Sequence, residues 1–301
     1  MSPGDGAHNK DMYKQIAANK RKTVFIMLGF IIFIGLLGAI FAWAMKSWMI
    51  SIWVIIIALI YAVVQYFASS SLAVAMTGAR EIEKKDNPKL YNTVENLTLT
   101  AGLPMPKVYI IDDKAPNAFA TGRDPKHAIV AATTGLLDIM DDKELTAVIA
   151  HEISHVKNYD IRVSCITFGL VCLVGLLSDL GLRMFYLGDN DDDRSPIGFV
   201  VVLVTAILAP VAAAIAQMAV SREREYLADA SAVNITRYPE GMIAALKKLE
   251  THSQPMHRQN AATEALYIND PMKKGFFSNL FSTHPPIEKR IERLENGKNT
   301  F

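Results

Sequence analysis

The chain has 301 residues, a formal net charge of +1 and a hydrophobic fraction of 51%. A near-neutral balance gives no electrostatic ground for a nucleic-acid or acidic partner, and two cysteines offer no disulfide framework. The length leaves room for two structural units, and the apolar residues fall into two blocks separated by segments of ordinary soluble composition.

Residues 1–22 form a basic N-terminal segment carrying Lys14, Lys20, Arg21 and Lys22. From Thr23 to Met45 no charge appears, and as a helix that run reaches about 35 Å, enough for a roughly 30 Å hydrocarbon core. A cleaved signal peptide is the competing reading, but its core is about 7–15 residues, and here a second apolar run from Trp48 follows almost at once. Residues 23–76 are therefore expected to form a transmembrane hairpin turning at Lys46–Ser47, where Trp43, Trp48 and Trp53 cluster as interfacial aromatics do. A second apolar pair occupies 161–220. It contains Arg162, Asp179 and Arg183, with Pro210 and Gln217 further on, and is either membrane-spanning or re-entrant. Its lengths favour spanning, for about four spans in all. Cys165 and Cys172 lie on one face of this block and read as small buried hydrophobes. Basic residues flank the first hairpin while its tip and the acidic 188–196 linker are poor in them. Residues 1–22, 77–160 and 221–301 are thus expected on the cytoplasmic side of a cell membrane.

Within 77–160, helical spacing lies between Glu81 and Gly102, with Leu90, Val94 and Leu97 on one face. Lys107–Ile111, Asn117–Thr121 and Ala128–Ala132 read as strands, the last two joined at Gly122–Pro125. Asp141 with Glu144 three residues on has the form of a capping box opening a helix to about Asn158. Ser221–Ile235, Pro239–His252 and Pro286–Asn296 are three further helices. The expected fold is an α+β domain built from two chain segments, because neither segment alone has much core.

The capped helix carries His151-Glu-Ile-Ser-His155. Two histidines four apart share a helix face and can reach one ion, with Glu152 beside them where a base for water is needed. In 221–229, Ser-Arg-Glu-Arg-Glu-Tyr-Leu-Ala-Asp, Glu225 and Asp229 share a face that Glu223 does not. Glu225 suits a third metal ligand, and Asp229 a hydrogen-bond acceptor that fixes a ligating histidine. The alternative is that Arg222 to Glu225 form a solvated charge run. The two halves of such a site lie on either side of 161–220, so they meet only if that block returns the chain to the same side.

Together HEISH at 151–155, SREREYLAD at 221–229, PNAFATG at 116–122 and STHPP at 282–286 followed by Arg290 resemble the HtpX family of membrane-bound zinc metalloproteases, related to the CAAX prenyl proteases. The resemblance runs from about residue 14 to 295. It implies a zincin-like domain with one zinc ion on His151, His155 and Glu225, and Glu152 as catalyst. It implies ATP-independent cleavage of damaged or misfolded membrane proteins in quality control and stress response, with the bilayer as the other partner. Asn117, Ala118, Phe119 and Ala120 resemble the edge strand on which related proteases align substrate, where unpaired backbone groups hold an extended peptide. His284, a candidate for steadying the oxyanion, and Arg290 are implied to line the site. His8, His127, His252 and His257 have no partner pattern and are expected at the surface. Two rivals stand beside this reading. One is a scaffold with structural zinc, which needs a fourth ligand from His284 or Asp160. The other is a prenyl-protein protease, whose family implies more spans than this chain holds.

Overall fold

The computed structural model describes residues 48–169, 222–258 and 285–297, together with 17–19, 21–29, 31, 32, 35, 39, 171, 172, 263 and 266–268. The expected spans at 23–45 and 161–220 therefore lie partly outside the described residues, and the acidic linker and His8 entirely so. Described positions of the N-terminal block, from 17 to 39, are helical, as are 160–169, 171 and 172.

Helix α1 runs 30 residues from Trp48 to Thr77, free of charge, proline and glycine. Its pattern is inverted relative to a water-soluble helix. Trp48, Met49, Ile52, Trp53, Ile57, Ile60, Val63, Val64 and Phe67 are exposed, while Gln65, Ser69, Ala73 and Thr77, spaced four apart, are buried. The buried stripe packs on the helical residues 160–169, 171 and 172. There the Tyr61 hydroxyl donates to Gly169 O at 2.7 Å and Ser69 meets the Cys165 thiol. Gly169 lets the Gln65 side chain lie directly against the helix backbone, in space that a Cβ there would occupy. Over the fully described residues alone, no helix is long and apolar enough to cross a membrane; the α1 side chains at 50, 51, 54, 55, 58 and 62 lie outside them.

After α1 the chain makes a four-stranded mixed sheet in the order β1-β2-β4-β3. Its strands are β1 Arg80–Glu81, β2 Lys107–Ile111, β3 Ala118–Gly122 and β4 Ala128–Thr133. β2 and β4 run parallel, and β1 and β3 are antiparallel to their neighbours. Side chains alternate between two covered faces. Val108, Val130, Ala132, Ala118 and Ala120 meet the helices, whereas Tyr109, Ile111, Ile129, Ala131 and Phe119 join Ala73 of α1 and Phe168. Near-continuous apolar strands are what a sheet buried on both faces requires.

Helix α2 is Pro88–Ala101, shorter than the sequence expectation from Glu81. Glu81 belongs to β1, and the helix can start only at Pro88, whose ring suits the first helical position, with the Asn87 side chain accepting from Leu90 N at 2.9 Å. Leu90, Val94 and Leu97 are buried as their spacing predicts. Gly102 ends the helix in the left-handed region at φ 69°. The short α3, Thr134–Ile139, leads to α4, Asp142–Lys157. The capping box at its start is complete: Asp141 accepts from Glu144 N and Glu144 accepts from Asp141 N, each at 2.8 Å.

The second segment supplies α5 Arg222–Thr236, α6 Pro239–Thr251 and α7 Ile287–Gly297. Ala232, Ala245 and Leu249 complete the core between α2 and α4, and Met242, Leu246, Ile291 and Leu294 close a second cluster on Ala147. Both segments therefore share one core, as their separate apolar contents imply.

Candidate metal centre

The cap fixes the start of α4, and the spacing along it brings His151 and His155 to one side. Their Nε2 atoms are 3.1 Å apart. Helix α5 packs against α4 and presents Glu225, with Oε2 3.5 Å from His151 Nε2 and Oε1 3.6 Å from His155 Nε2. One donor atom from each of the three lies within 4.8 Å of the others. Donors about 2.0–2.1 Å from a tetrahedral ion are separated by roughly 3.3 Å, so these spacings of 3.1–3.6 Å fit a zinc ion.

The far side of each imidazole is also arranged for metal. Asp229 Oδ1 lies 2.9 Å from His151 Nδ1, and Asp160 Oδ2 lies 3.0 Å from His155 Nδ1. A carboxylate on Nδ1 keeps the proton there and turns the Nε2 lone pair toward the shared centre. Asp229 stands against His151, where its spacing would put it. Asp160 was legible only as a rival ligand. It sits behind His155, on the Nδ1 side, and so does not provide the fourth ligand that a structural site would need. Two acidic residues, one per histidine, complete the arrangement.

Arg290 of α7 is 1% exposed and grips Asp229 with two bonds, Nε to Oδ2 at 2.8 Å and Nη2 to Oδ1 at 2.6 Å. Nη2 also lies 3.4 Å from His151 Nδ1. Burial raises the Asp229 pKa, but the Arg290 guanidinium outweighs it and holds the carboxyl below its usual range. Burial likewise disfavours the cation of Arg290, and Asp229 overrides it.

Arg224 and Glu225 are buried while Arg222 and Glu223 are exposed, so only the first half of the alternative charge run is solvated. Glu223 faces outward to Arg293, 3.8 Å away. Glu152 is buried on α4 beside the cluster. His284 lies outside the described residues. His127, His252 and His257 are exposed, as expected.

β3 lies at the sheet edge beside α4, as the sequence suggested, yet every residue in it is buried. Its outer side is not open along its length. Phe119 bridges Tyr267 antiparallel, and Ile268 N donates to Ala118 O at 3.0 Å. Asn117 departs most from the expectation, for it is committed to the fold. Its N–H donates to Thr133 Oγ1, its carbonyl accepts from Thr133 N and its side chain accepts from Ala118 N.

Without metal, burial pulls the His151 pKa down, but Asp229 and Glu225 more than offset this and push it to about 9. A raised histidine pKa contributes stability that is fully present below its ordinary value near 6.5 and is lost as pH rises through about 9. Metal must displace that proton. Apparent zinc affinity of the metal-free chain should therefore rise about tenfold per pH unit and flatten near pH 9, as read by chelator competition. A flat profile from pH 6 to 9 would contradict proton displacement from His151.

Paired helical histidines with an acid between them and a carboxylate from a second helix define a metallopeptidase site of the His-Glu-X-X-His kind. Residues 84–298 match the model of Peptidase family M48. A protease HtpX homolog of Tropheryma whipplei is 55% identical over 291 residues, 96% of this chain and all of that protein. Another of Streptococcus gordonii is 47% identical over 295 residues, 94% of this chain and 99% of that protein. The chain belongs to peptidase family M48 and is a zinc-dependent metalloprotease of that family. The crystal structure of S. mikatae Ste24p superposes with a TM-score of 0.51 over 95% of this chain and 67% of that one, at 19% identity, a likeness of fold.

Proposed function

We propose that the chain is an integral-membrane zinc endopeptidase in which His151, His155 and Glu225 hold the metal and Glu152 is the general base. The observation that carries this reading is the convergence of three donors at 3.1–3.6 Å, with each histidine backed by its own carboxylate. When bound, zinc would supply Lewis acidity toward water and the scissile carbonyl. The Glu152 carboxylate takes the proton of the attacking water and returns it to the departing amine. Asp229 and Asp160 hold the imidazoles in one tautomer, and both carboxylates are buried with Glu152 and Glu225. His284 is assigned the oxyanion. The outward groups of β3 beyond the Phe119–Tyr267 bridge, the Ala120 carbonyl and those of Gly122, are assigned to the substrate backbone.

Membrane embedding is supported by α1, whose exposed side is built of large apolar residues and whose buried side is polar or small, the arrangement lipid selects. Its 30 residues reach about 45 Å as a helix. The second apolar block, 161–220, returns the chain to the same side, and the basic flanks support a cytoplasmic side for the catalytic segments. The substrates are damaged or misfolded membrane proteins, whose extended segments suit backbone pairing with little side-chain selectivity.

Zinc content of purified variants tests the ligand set. Glu225→Ala should lose the metal, whereas Glu223→Ala, altering an exposed side chain that faces Arg293, should keep it. Equal zinc in both would return Glu225 to a structural ion pair and sink the assignment.

A further inference from the structure

The carboxylate behind His155 is itself held. Helix α4 ends at Asn158, and Tyr159 enters the left-handed region at φ 61°, which swings Asp160 back toward the histidine. Asp160 Oδ2 then faces His155 Nδ1 at 3.0 Å. Its other oxygen, Oδ1, accepts from Asn19 Nδ2 at 2.8 Å and lies 3.4 Å from Arg224 Nη1. Asn19 belongs to the helical residues 17–19 of the N-terminal segment and is 4% exposed. The same amide nitrogen donates to Asn158 O at 2.9 Å. One buried amide group thus ties the N-terminal segment both to the end of α4 and to the acid that orients a histidine.

A carboxylate can turn about its last torsion and choose among donors. With Oδ1 occupied by Asn19 and flanked by Arg224, only Oδ2 is left for His155. Removing the amide frees the group to pivot toward the Arg224 guanidinium and lets the imidazole follow or lose its anchor. We propose that Asn19 is a positioning residue of the metal centre, acting through Asp160 to fix His155, so that zinc affinity depends on the docking of the N-terminal helix where it enters the first apolar run. This rests on the reading that His155 holds the metal.

A double-mutant cycle on zinc affinity tests it, using the full chain in detergent and competition with a chromophoric chelator. Asn19→Leu should weaken zinc by roughly 10–100-fold, the range for groups that orient ligands. In an Asp160→Asn background, already weakened, the same replacement should cost less than about threefold, because the carboxylate through which Asn19 acts is gone. Wild-type affinity in Asn19→Leu would overturn the proposal. Equal fold-losses in both backgrounds would also overturn it, since Asn19 would then act only through Asn158 and general packing. If Asn19→Leu does not accumulate folded, Asn19→Ser, which keeps one donor of shorter reach, carries the same cycle. His155→Ala is measured in parallel. Undiminished zinc there would take down the ligand set itself, whereas loss there with none in Asn19→Leu removes only the positioning role.

Discussion

Glu152→Gln should lower peptide hydrolysis by about 10²–10⁴-fold while leaving zinc content and thermal stability near wild type, since only the proton acceptor changes. At about 1.36 kcal/mol per decade the loss is about 3–5 kcal/mol of transition-state stabilisation. The amide has nearly the shape of the acid and keeps a hydrogen-bonding group in a buried position on α4. It cannot take a proton from water at neutral pH. Arg290 gives a second reason to expect an intact fold. Its cationic form is opposed chiefly by burial and sustained chiefly by Asp229, with Glu152 a lesser contributor. Cleavage of an unfolded protein probe by the metal-replete variant at the wild-type rate would remove Glu152 from the chemistry and leave another group as base.

How far the site could be read in advance depends on the distance over which each residue acts. His151, Glu152 and His155 were legible because helical spacing alone brings them together, and the Asp141–Glu144 capping box announced the helix. Glu225 and Asp229 were legible one step later, by the same spacing on a second helix. Asp160 was not, because it reaches its histidine through a left-handed turn at Tyr159, and a bulky residue does not advertise such a turn as glycine would. The alternative of a solvated run from Arg222 to Glu225 stayed open for Arg224, because sequence shows charge but not which face α4 covers. Asn19 was invisible as a site residue, since its partner Asp160 is 141 positions away.

The fold divides along the same line. β2, β3, β4 and the helices α4, α5, α6 and α7 followed local patterns to within a residue or two, whereas β1 and the short α3 were not read; the start of α2 moved from Glu81 to Pro88 because Glu81 pairs in β1 and a turn follows it. The edge of β3 read as open because nothing local to Asn117–Thr121 reveals Tyr267, which packs edge-on against Phe119 with ring centres 5.2 Å apart. Long-range pairing of that kind is set by the closing of the whole chain. A peptide adding to β3 has to share that side of the strand with residues 266–268, so the geometry of substrate entry follows from a contact invisible in the motif itself.

Arg290→Met should destabilise the folded chain by about 3–5 kcal/mol, the usual consequence of stripping one partner from a buried ion pair. Arg290 and Asp229 are 1% and 2% exposed and joined by two short bonds, so removing the guanidinium takes away both bonds and leaves a buried carboxylate resting against the His151 imidazole. The sign follows from Asp229. Its folded pKa lies below the ordinary value of 3.8, so the stability it contributes is present above that pH and is lost only as pH falls through the depressed value. At neutral pH the pair therefore contributes in full. Pairing the change with Asp229→Asn should restore most of the lost stability, because a neutral amide replaces the stranded charge. It should not restore zinc affinity, expected to stay about 10–100-fold low, since an amide oxygen is a weaker acceptor for His151 Nδ1 than a carboxylate. Thermal unfolding and chelator competition on the two variants separate these effects. Recovery of both quantities together would mean that Asp229 serves only to neutralise Arg290, whereas recovery of stability alone identifies it as the group that sets His151.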